Sequence, residues 1–438
     1  MTSNTTDFDV VIVGAGPAGS CAALSLAKAG RSVLLIERGP FAGSKNMYGG
    51  VVYPRILDML IPNWSEEAPI QRWVTRRQTM VMTPTQSMTI DYRTDAWGKP
   101  PYNGATAYRS DFDFWLAGKA EAAGAALICS TTVTGLLRGT GGAVVGVTTD
   151  RPDGDITAKI VIACDGVNSF LAKEAGLYRD DVDAGSFTLG VKETIALSSD
   201  TINERFGVRG REGVDIEIIG CTGNVNGGGF IYTNLDTVAV GVVLKLSKLA
   251  AQDQRPEAII ADLKAHPAIA PLVEGGEVKE YSAHLIPEAG YEMIPTLAGD
   301  GILVAGDAAG LCLAAGIWLE GVNFAMASGM YAGDAAADAL DSGDTSAGGL
   351  AGYRQRLERT FVLQDHAKLR HIPHLVLGDR LQQEYPQMVA NIVERMFRVD
   401  NPSPKPGIRH ILTEERKRAG IRWRDLAKDT WTAMRGFG

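Results

Sequence analysis

Residues 9–19, Asp9-Val10-Val11-Ile12-Val13-Gly14-Ala15-Gly16-Pro17-Ala18-Gly19, decide the fold of this chain. The first part is a short apolar, β-branched run, which is typical of a buried parallel strand. The glycines that follow have the spacing GxGxxG and lead into a helix-like stretch, residues 20–29. In such a unit Gly14 makes the tight turn, Gly16 lets the backbone approach a pyrophosphate, and Gly19 lets helix and strand pack closely. The helix N-terminus then offers its N–H groups to the phosphates.

A second strand, residues 32–36, ends in Glu37. This acid stands about 20 residues beyond the glycines, where a carboxylate accepts the ribose hydroxyl of a bound dinucleotide. Strand, glycines, helix, strand and terminal acid together predict a dinucleotide-binding βαβ unit, although GxGxxG alone would be weak evidence. Glu37 also argues against a 2′-phosphate at this place, because the two negative charges would repel.

Two later segments indicate which dinucleotide is bound. Residues 160–169 form an apolar strand that ends in Asp165-Gly166, and residues 301–310 form another that ends in Gly306-Asp307. Both resemble the fingerprints of the glutathione-reductase-like FAD superfamily, in its hydroxylase and geranylgeranyl-reductase branch. The resemblance implies that FAD is the cofactor, that Asp307 binds the ribityl chain, and that the glycine-rich segment through Gly316 lies along the flavin.

The stretch Tyr108-Arg109-Ser110-Asp111-Phe112-Asp113 predicts the start of a helix that runs to about residue 123. Ser110 and Asp113 have the spacing of a capping box. Arg109 stands at the mouth of this helix, where the family places an arginine near the flavin. Two roles for it stay open: electrostatic support of a reduced flavin, or a structural ion pair. Val133 resembles the position whose backbone contacts adenine.

The loop Gly43-Ser44-Lys45-Asn46-Met47-Tyr48-Gly49-Gly50 closely resembles that of the FixC family, relatives of electron transfer flavoprotein–quinone oxidoreductase. The resemblance covers nearly the whole chain. It implies electron transfer from a two-subunit electron transfer flavoprotein to a quinone, directly or through a small ferredoxin-like iron–sulfur protein, with no catalytic acid or nucleophile. The cofactor-binding residues that these motifs predict are Gly14, Gly16, Pro17, Ala18, Gly19, Glu37, Arg38, Lys45, Asn46, Gly49, Gly50, Arg109, Val133, Asp165, Gly166, Gly306, Asp307, Gly316 and Ile317.

The cysteines argue against a cluster within this chain. Cys21, Cys129, Cys164, Cys221 and Cys312 are scattered singly, without CxxC spacing. An iron–sulfur cluster needs four thiolates that are at least partly close together in sequence. No metal site is therefore expected. In the FixC family a separate ferredoxin carries the cluster, which agrees with this pattern.

The predicted fold class is α/β: a glutathione-reductase-type, Rossmann-like FAD-binding domain with an inserted antiparallel β-sheet substrate domain and a helical C-terminal region. Residues 79–92 alternate like a hairpin, and residues 188–195, 215–220, 228–233 and 237–244 are strand-like. The predicted FAD domain takes residues 1–75, 105–180 and 285–342. The predicted sheet domain takes residues 76–104 and 181–284, and residues 343–438 form the helical region.

The C-terminal region carries a net positive charge, whereas the chain as a whole is negative. Residues 395–438 contain eleven Lys or Arg and five Asp or Glu, a net charge of +6 in a chain of −8. Trp423, Trp431 and Phe437 lie between the basic groups. Three interpretations stay open: a solvated helical face, a docking surface for an acidic redox partner, or contact with anionic lipid. Nucleic acid is not expected, since no binding motif accompanies the charge. Without a visible signal peptide, the expected location is cytoplasmic, with the inner face of the membrane as a peripheral site.

Glu320 and Asn323 depart from the family pattern, in which many chains carry arginine and aspartate at these positions. An acid facing the flavin would lower its reduction potential. This departure leaves the direction of electron flow open. His284 has two open roles as well, proton delivery or a structural histidine.

Two other functions stay in view. One is a stand-alone flavoenzyme that uses NAD(P)H, like a geranylgeranyl reductase or a hydroxylase; the chain has no second GxGxxG fold for NAD(P)H, but hydroxylase relatives use NADPH without one. The other is an assembly scaffold that keeps FAD as a structural ligand.

Overall fold

The computed structural model describes residues 6–45, 50–179, 181–252, 254–288, 290–316 and 319–437. The strands in these ranges are β1 Phe8–Val13, β2 Val33–Ile36, β3 Gly50–Val52, β4 Ile70–Met82, β5 Ser87–Arg93, β6 Ala105–Ala107, β7 Ala126–Ile128, β8 Val133–Arg138, β9 Val144–Thr149, β10 Ile156–Ala163, β11 Phe187–Ala196, β12 Glu212–Ile219, β13 Gly227–Thr233, β14 Thr237–Lys245, β15 Glu277–Pro287, β16 Ala298–Gly299, β17 Ile302–Val304, β18 Leu313–Ala314 and β19 Leu319–Glu320. The helices are α1 Pro17–Lys28, α2 Trp64–Glu67, α3 Arg109–Ala122, α4 Phe170–Glu174, α5 Ser199–Phe206, α6 Leu246–Ala250, α7 Pro256–Ala265, α8 Ala270–Val273, α9 Val322–Ser342, α10 Gly352–Glu358, α11 Phe361–Lys368, α12 Ile372–Val376, α13 Tyr385–Phe397, α14 Ile408–Arg418 and α15 Trp423–Phe437.

The first sheet has a parallel centre in the order β17-β10-β1-β2-β7. Strands β1 and β2 are joined by α1, which is the predicted βαβ unit. Val10, Val11 and Ile12 of β1 are fully buried, as a central strand covered on both faces requires. β16 adds to one edge, and β9 with β8 adds an antiparallel pair to β10. The carboxyl ends of β1, β10 and β17 therefore meet at one edge, where ligands bind in such sheets.

The second sheet has the order β15-β11-β14-β13-β12-β4-β6-β3, with β5 paired to β4. The predicted hairpin is confirmed as β4 and β5, and the four predicted strands are confirmed as β11 to β14. Pairing is antiparallel except between β4 and β12, which run parallel. An additional long strand, β15, was not predicted.

The predicted domain boundaries stay a prediction. Two of them fall inside strands of the second sheet: the boundary after residue 75 cuts β4, and the boundary after residue 284 cuts β15. The same sheet also includes β3 and β6, whose residues were assigned to the FAD domain. The second sheet is thus continuous with the loops that border the cofactor-binding unit.

Helices α1 and α9 pack backbone against backbone. A Cβ atom on Gly329 would lie 1.9 Å from the carbonyl oxygen of Ala18, and one on Gly333 would lie 2.8 Å from that of Ala22. Only glycine permits such an approach, because any side chain would separate the helices. The Ser328 hydroxyl also accepts a hydrogen bond from the Gly306 N–H, at 3.0 Å. The N-terminal half of α1 is therefore fixed against the middle of α9, and α9 is fixed against the loop after β17.

Helices α10 to α15 make up the C-terminal region, as predicted from the sequence. Tyr353 of α10 is buried, and its hydroxyl donates to the carbonyl of Val304 at 3.0 Å, which ties this region to the first sheet. Across the described ranges, no helix combines the length and apolar character needed to cross a membrane.

Candidate cofactor site

The loop between β1 and α1 contains two glycines that the fold itself requires. Gly14 has φ +99°, and a Cβ there would lie 2.3 Å from the carbonyl oxygen of Cys164. A Cβ on Gly19 would lie 1.9 Å from the carbonyl oxygen of Gly14. Both distances are far below ordinary contact, so these positions admit no side chain. Neither glycine lines the cleft described below, but both fix the backbone on either side of the lining residues Gly16, Pro17 and Ala18.

Gly16 differs from these two glycines. It has φ −73° and ψ −174°, which any residue adopts, and a Cβ there would meet no described atom within 4 Å. It stands at the N-terminus of α1 and provides no side-chain cap, and Pro17 follows it. The first N–H groups of a helix attract anions. The space in front of α1 therefore suits a phosphate group better than a side chain.

Glu37 lies at the carboxyl end of β2 and is buried. Its Oε2 accepts the N–H of Ala15 at 3.1 Å, and its Oε1 accepts the N–H of Gly39 at 2.7 Å. The Glu37 carbonyl accepts the N–H of Thr131, two residues before Val133. Arg38 and Lys45 are exposed at this side of the loop. The predicted ribose and adenine contacts thus lie on adjoining segments.

A cleft opens at the carboxyl edge of the first sheet. The predicted residues that line it are Gly16, Pro17, Ala18, Gly50, Arg109, Gly166, Gly306 and Asp307. Its opposite wall comes from the second sheet, through Tyr232, Val243 and Ile286. Sequence reasoning did not predict Tyr53, Glu288 and Cys312, which also line the cleft. Asn46, Gly49 and Ile317 lie outside the described residues. Asp165 stands between the lining residues Cys164 and Gly166, and Gly316 is not among the residues that line the cleft.

Arg109 and Asp113 form an ion pair at the start of α3. Arg109 Nε contacts Asp113 Oδ1 and Arg109 Nη2 contacts Asp113 Oδ2, both at 2.9 Å. Asp113 is almost fully buried, and burial raises the pKa of its carboxyl group although Arg109 opposes the shift. Of the two roles proposed for Arg109, the ion pair is present, and the guanidinium still lines the cleft.

The predicted capping box is wrong. Helix α3 begins two residues earlier than the capping box predicts, at Arg109, with Tyr108 at its N-cap and no side-chain cap. The Ser110 hydroxyl contacts Asp111 instead. Asp113 cannot reach back to an N-cap, because its carboxylate is taken by Arg109 one turn away. A buried guanidinium needs a counter-charge more than an exposed helix end needs a cap.

Asp165, Asp307 and His284 add further polar groups at the cleft. Asp165 Oδ2 accepts the N–H of Leu171 at 3.0 Å, and its buried Oδ1 has no partner among the described residues. Burial raises the pKa of Asp307, while His284 and Arg109 oppose it. Burial lowers the pKa of His284, which favours the neutral imidazole. An unpaired buried oxygen is costly, so a bound group that donates to Asp165 fits this site.

Glu320 and Asn323 lie side by side where α9 begins, and both line the cleft. The Asn323 amide donates to Glu320 Oε2 at 2.6 Å. The Asn323 Oδ1 is buried and has no partner among the described residues. Burial raises the pKa of Glu320, although the hydrogen bond from Asn323 opposes the shift. Glu320 and Asn323 therefore both face the cleft.

A buried charge cluster lies behind Tyr53. Arg77 Nε is 3.2 Å from Asp215 Oδ2, and Arg77 Nη2 also contacts Glu217. Burial raises the pKa of both carboxyl groups, and Arg77 opposes it. Glu288 is buried too, and burial raises its pKa to about 7. No group of three or more His, Cys, Asp or Glu suited to a metal ion occurs among the residues with described positions.

Comparison with known proteins adds two family matches. Residues 7–363 match the FAD binding domain, and residues 372–438 match the ETF-QO/FixC family C-terminal domain. The chain is 39% identical to the probable electron transfer flavoprotein-quinone oxidoreductase YdiS of Escherichia coli K12, over 94% of this chain and 96% of that one. It is 41% identical to the protein FixC of Escherichia coli O157:H7, over 94% and 95%.

Among solved structures, the chain resembles a geranylgeranyl bacteriochlorophyll reductase-like protein from Thermoplasma acidophilum. The TM-score is 0.72, with 21% identity, over 94% of this chain and 97% of that one. At this identity the likeness concerns the fold alone. The α/β FAD-binding fold that the sequence predicted is confirmed.

Proposed function

Because the chain belongs to the ETF-QO/FixC family of FAD-binding oxidoreductases, we propose that it passes electrons from a two-subunit electron transfer flavoprotein to a quinone. The transfer to quinone is direct or runs through a small ferredoxin-like iron–sulfur protein. The observation that carries the proposal is similarity over 94% of the chain to a relative named for this activity. A family match in the C-terminal 67 residues, 372–438, supports it further.

FAD is the cofactor, and it supplies reversible uptake and release of electrons when bound. We propose that the glycine loop and the start of α1 hold the pyrophosphate, that Glu37 accepts the ribose hydroxyls, and that Asp307 binds the ribityl chain. Asp165, with its unpaired Oδ1, is placed to accept a further hydrogen bond. Asn46, Gly49, Gly50, Gly316 and Ile317 keep their proposed contacts along the flavin.

The two walls of the cleft suit this function. One wall is polar and carries Arg109 and Asp307; the other, from the second sheet, has Val243 and Ile286 and also His284 of β15. Binding to the polar wall fixes the cofactor, and the apolar residues of the other wall exclude water from it. No side chain needs to form a covalent bond during the reaction. The protein sets the distance between the flavin and its redox partners, the reduction potential of the flavin, and the access of the acceptor to it.

An anaerobic titration of the bound flavin tests the proposal. Its absorbance is followed during addition of NADH or NADPH, and then of reduced electron transfer flavoprotein. Reduction by the flavoprotein alone is the expected result. Rapid reduction by a nicotinamide nucleotide, stimulated by a small substrate, would contradict the proposal in favour of a stand-alone reductase or hydroxylase. Flavin that no donor reduces would indicate a structural role.

Glu320→Gln is expected to raise the reduction potential of the bound flavin by several tens of millivolts. Removing a negative charge stabilises the electron-rich form, since two charges roughly 5–15 Å apart interact by about 1–3 kcal/mol at an effective dielectric constant of about 20. For a one-electron couple this corresponds to about 40–130 mV. Spectroelectrochemistry measures the shift, with the exposed Glu358→Gln as control.

The same pair of proteins gives a pH test. Because the pKa of Glu320 is raised, its charge is present at high pH and is lost as the pH falls through that raised pKa. The difference in flavin reduction potential between the wild type and Glu320→Gln is therefore expected to be largest at high pH and to become smaller as the pH falls. Arg77 and Asp365 also act on Glu320, in opposite directions, and are the same in both proteins. A difference that does not change with pH would contradict this assignment.

A further inference from the structure

Two buried carboxylates of β12 share one guanidinium. Arg77 of β4 contacts both of them: its Nε lies 3.2 Å from Asp215 Oδ2, and its Nη2 contacts Glu217 Oε1. The side chains of Asp215 and Glu217 are only 3% and 9% exposed. Within the described ranges, no other Lys, Arg or His forms an ion pair with either carboxylate. This cluster therefore contains one more carboxylate than it has cations.

The surplus carboxylate is a place where a proton is held. A buried charge that lacks a counter-charge is costly, so such a group keeps a proton instead of staying ionised. Asp215 Oδ1 is buried and has no hydrogen-bond partner among the described residues, which makes a second negative charge costlier still. Burial raises the pKa of both carboxyl groups, and Asp215 raises that of Glu217 further. At neutral pH the two groups, called the carboxyl pair below, therefore share one proton.

The carboxyl pair lies beside the wall of the cleft. Asp215 stands opposite Tyr232 across the sheet, so the two side chains lie on the same face, and Tyr232 lines the cleft. Tyr53 also lines the cleft and follows β3 directly. Burial raises the pKa of the Tyr53 hydroxyl, and both carboxylates raise it further while Arg77 opposes them. Tyr53 therefore connects the carboxyl pair electrostatically to the cleft.

The other side of the cluster reaches water. The Arg77 side chain is 18% exposed, more than either carboxylate that it contacts. Arg77 stands opposite Tyr92 of β5, a strand paired only to β4 within the described sheet, and Tyr92 is 53% exposed. The carboxyl pair thus lies between solvent on the Arg77 side and the cleft on the Tyr53 side.

We propose that the carboxyl pair supplies protons to the acceptor in the cleft through the hydroxyl of Tyr53. The proposal rests on the electron-transfer function, because conversion of a quinone to a quinol takes up two electrons and two protons. The electrons come from the cofactor. Each proton leaves the carboxyl pair for the Tyr53 oxygen, while the proton of the Tyr53 hydroxyl joins a quinone oxygen. The pair then takes a proton from solvent, so two passages balance the two electrons.

Other ionisable groups also face the cluster, and they stay the same in every variant described below. They are Tyr92 of β5, Tyr232 of β13 and Glu320 of β19. Glu320 acts on Tyr53, and Arg77 in turn acts on Glu320. A further carboxylate nearby favours the protonated form of the carboxyl pair, because like charges repel.

The variants E217Q and D215N test whether the pair holds a proton. Each replaces one carboxyl group by an amide of the same shape and leaves Arg77 with a single carboxylate, so the net charge at neutral pH is kept. Infrared difference spectra between the wild type and each variant are recorded on the oxidised, FAD-loaded, full-length protein. The carbonyl band of a protonated carboxyl group is expected in both. The control E212Q, on the same strand and partly exposed beside Arg93, is expected to show no such band.

Stopped-flow kinetics test the delivery of the proton. Flavin reduction by reduced electron transfer flavoprotein is expected to be unchanged in E217Q, D215N and Y53F. Reoxidation by a water-soluble short-chain quinone is expected to be about 100-fold slower, the lower end of the usual contribution of a positioned acid–base group. The rate in these variants should also fall about tenfold for each unit of rising pH, because water then supplies the proton. The wild-type rate should stay constant around neutral pH.

Y53F separates the route from the source of the proton. It removes only a hydroxyl group, so it is expected to keep the carbonyl band and to lose fast reoxidation. Its matched control is Y102F, because the ring of Tyr102 stacks on Trp73 at a centroid distance of 3.7 Å and does not line the cleft. Retained flavin absorbance and circular dichroism show that each variant is folded.

Three results would overturn the proposal. One is the absence of the carbonyl band from the difference spectra of E217Q and D215N, and another is reoxidation of these variants at the wild-type rate and with the wild-type pH profile. The third is a wild-type rate in Y53F, which would exclude the route. Failure of the electron-transfer proposal is seen separately: wild-type flavin would then not be reduced by the flavoprotein or not be oxidised by the quinone, whereas the infrared band still reports the proton on the pair.

Discussion

Gly19→Ala is expected to lower the free energy of unfolding by more than about 3 kcal/mol, above the usual cost of overpacking. The new Cβ would lie 1.9 Å from the Gly14 carbonyl oxygen. Because that neighbour is backbone in a turn that connects β1 to α1, it cannot rotate away as a side chain would. Relief requires separating α1 from the sheet. Urea unfolding of the apoprotein, followed by circular dichroism, measures the loss.

Gly16→Ala is expected to leave the apoprotein as stable as the wild type but to weaken FAD binding by about tenfold to a hundredfold, the equivalent of 1–3 kcal/mol of overpacking. Its backbone angles suit alanine, and its Cβ would meet no described protein atom within 4 Å. Any cost must therefore come from the bound cofactor. Titration of the apoprotein with FAD, read by flavin fluorescence, measures it.

Gly118→Ala is the control for both substitutions, since Gly118 lies in α3 with open space where a Cβ would be. Alanine there should keep FAD binding and slightly stabilise the helix. If Gly16→Ala binds FAD as tightly as the wild type, the pyrophosphate does not lie where we propose. If Gly19→Ala is as stable as the control, the close packing of α1 is not what the structure indicates.

Asp113→Asn is expected to lower the free energy of unfolding by about 3 kcal/mol, the lower end of the cost of breaking a buried ion pair. Arg109 would lose its bidentate counter-charge, and Asp307 would remain as a nearby carboxylate that also acts on it. Because Asp307 lies in the cleft, we expect weaker FAD binding as well. Urea unfolding of the apoprotein and titration with FAD measure the two effects.

Asp111→Asn is the matched control, because Asp111 is exposed on the same helix and its side chain accepts a hydrogen bond from Ser110. It should change stability by no more than about 0.5 kcal/mol. Equal loss in both variants would mean that the charge of α3, rather than the buried pair, matters. Unchanged stability in Asp113→Asn would show that Arg109 is adequately neutralised without it.

Local sequence patterns predicted the parts of the fold that depend on local chemistry. The βαβ unit follows from β-branched runs and glycine spacing, and strands β11 to β14 follow from apolar alternation bounded by turns. Strand β15 was missed because it is an edge strand with charged residues such as Glu277, Lys279 and Glu280. An edge strand has no need of an apolar pattern and gains protection from charge.

Contacts between distant segments could not be predicted in this way. Arg77 meets Asp215 because β4 and β12 pair in parallel register, which places their Cα atoms opposite each other. Nothing within either segment signals that pairing. The capping box failed for a related reason, since its pattern took no account of the buried Arg109. Eight of the residues predicted to bind FAD line one cleft, but their contacts with the cofactor stay predictions.

The glycine contacts between α1 and α9 have a consequence for how molecules reach the cleft. Both helices begin at the cleft, and Gly329 against Ala18 leaves no gap that could widen without breaking the packing. The start of α1, the middle of α9 and the loop at Gly306 therefore form one rigid side of the cleft. An entrance for cofactor or acceptor must open on the opposite side, where β13, β14 and β15 provide the wall. Access of small molecules to the cleft thus depends on the second sheet.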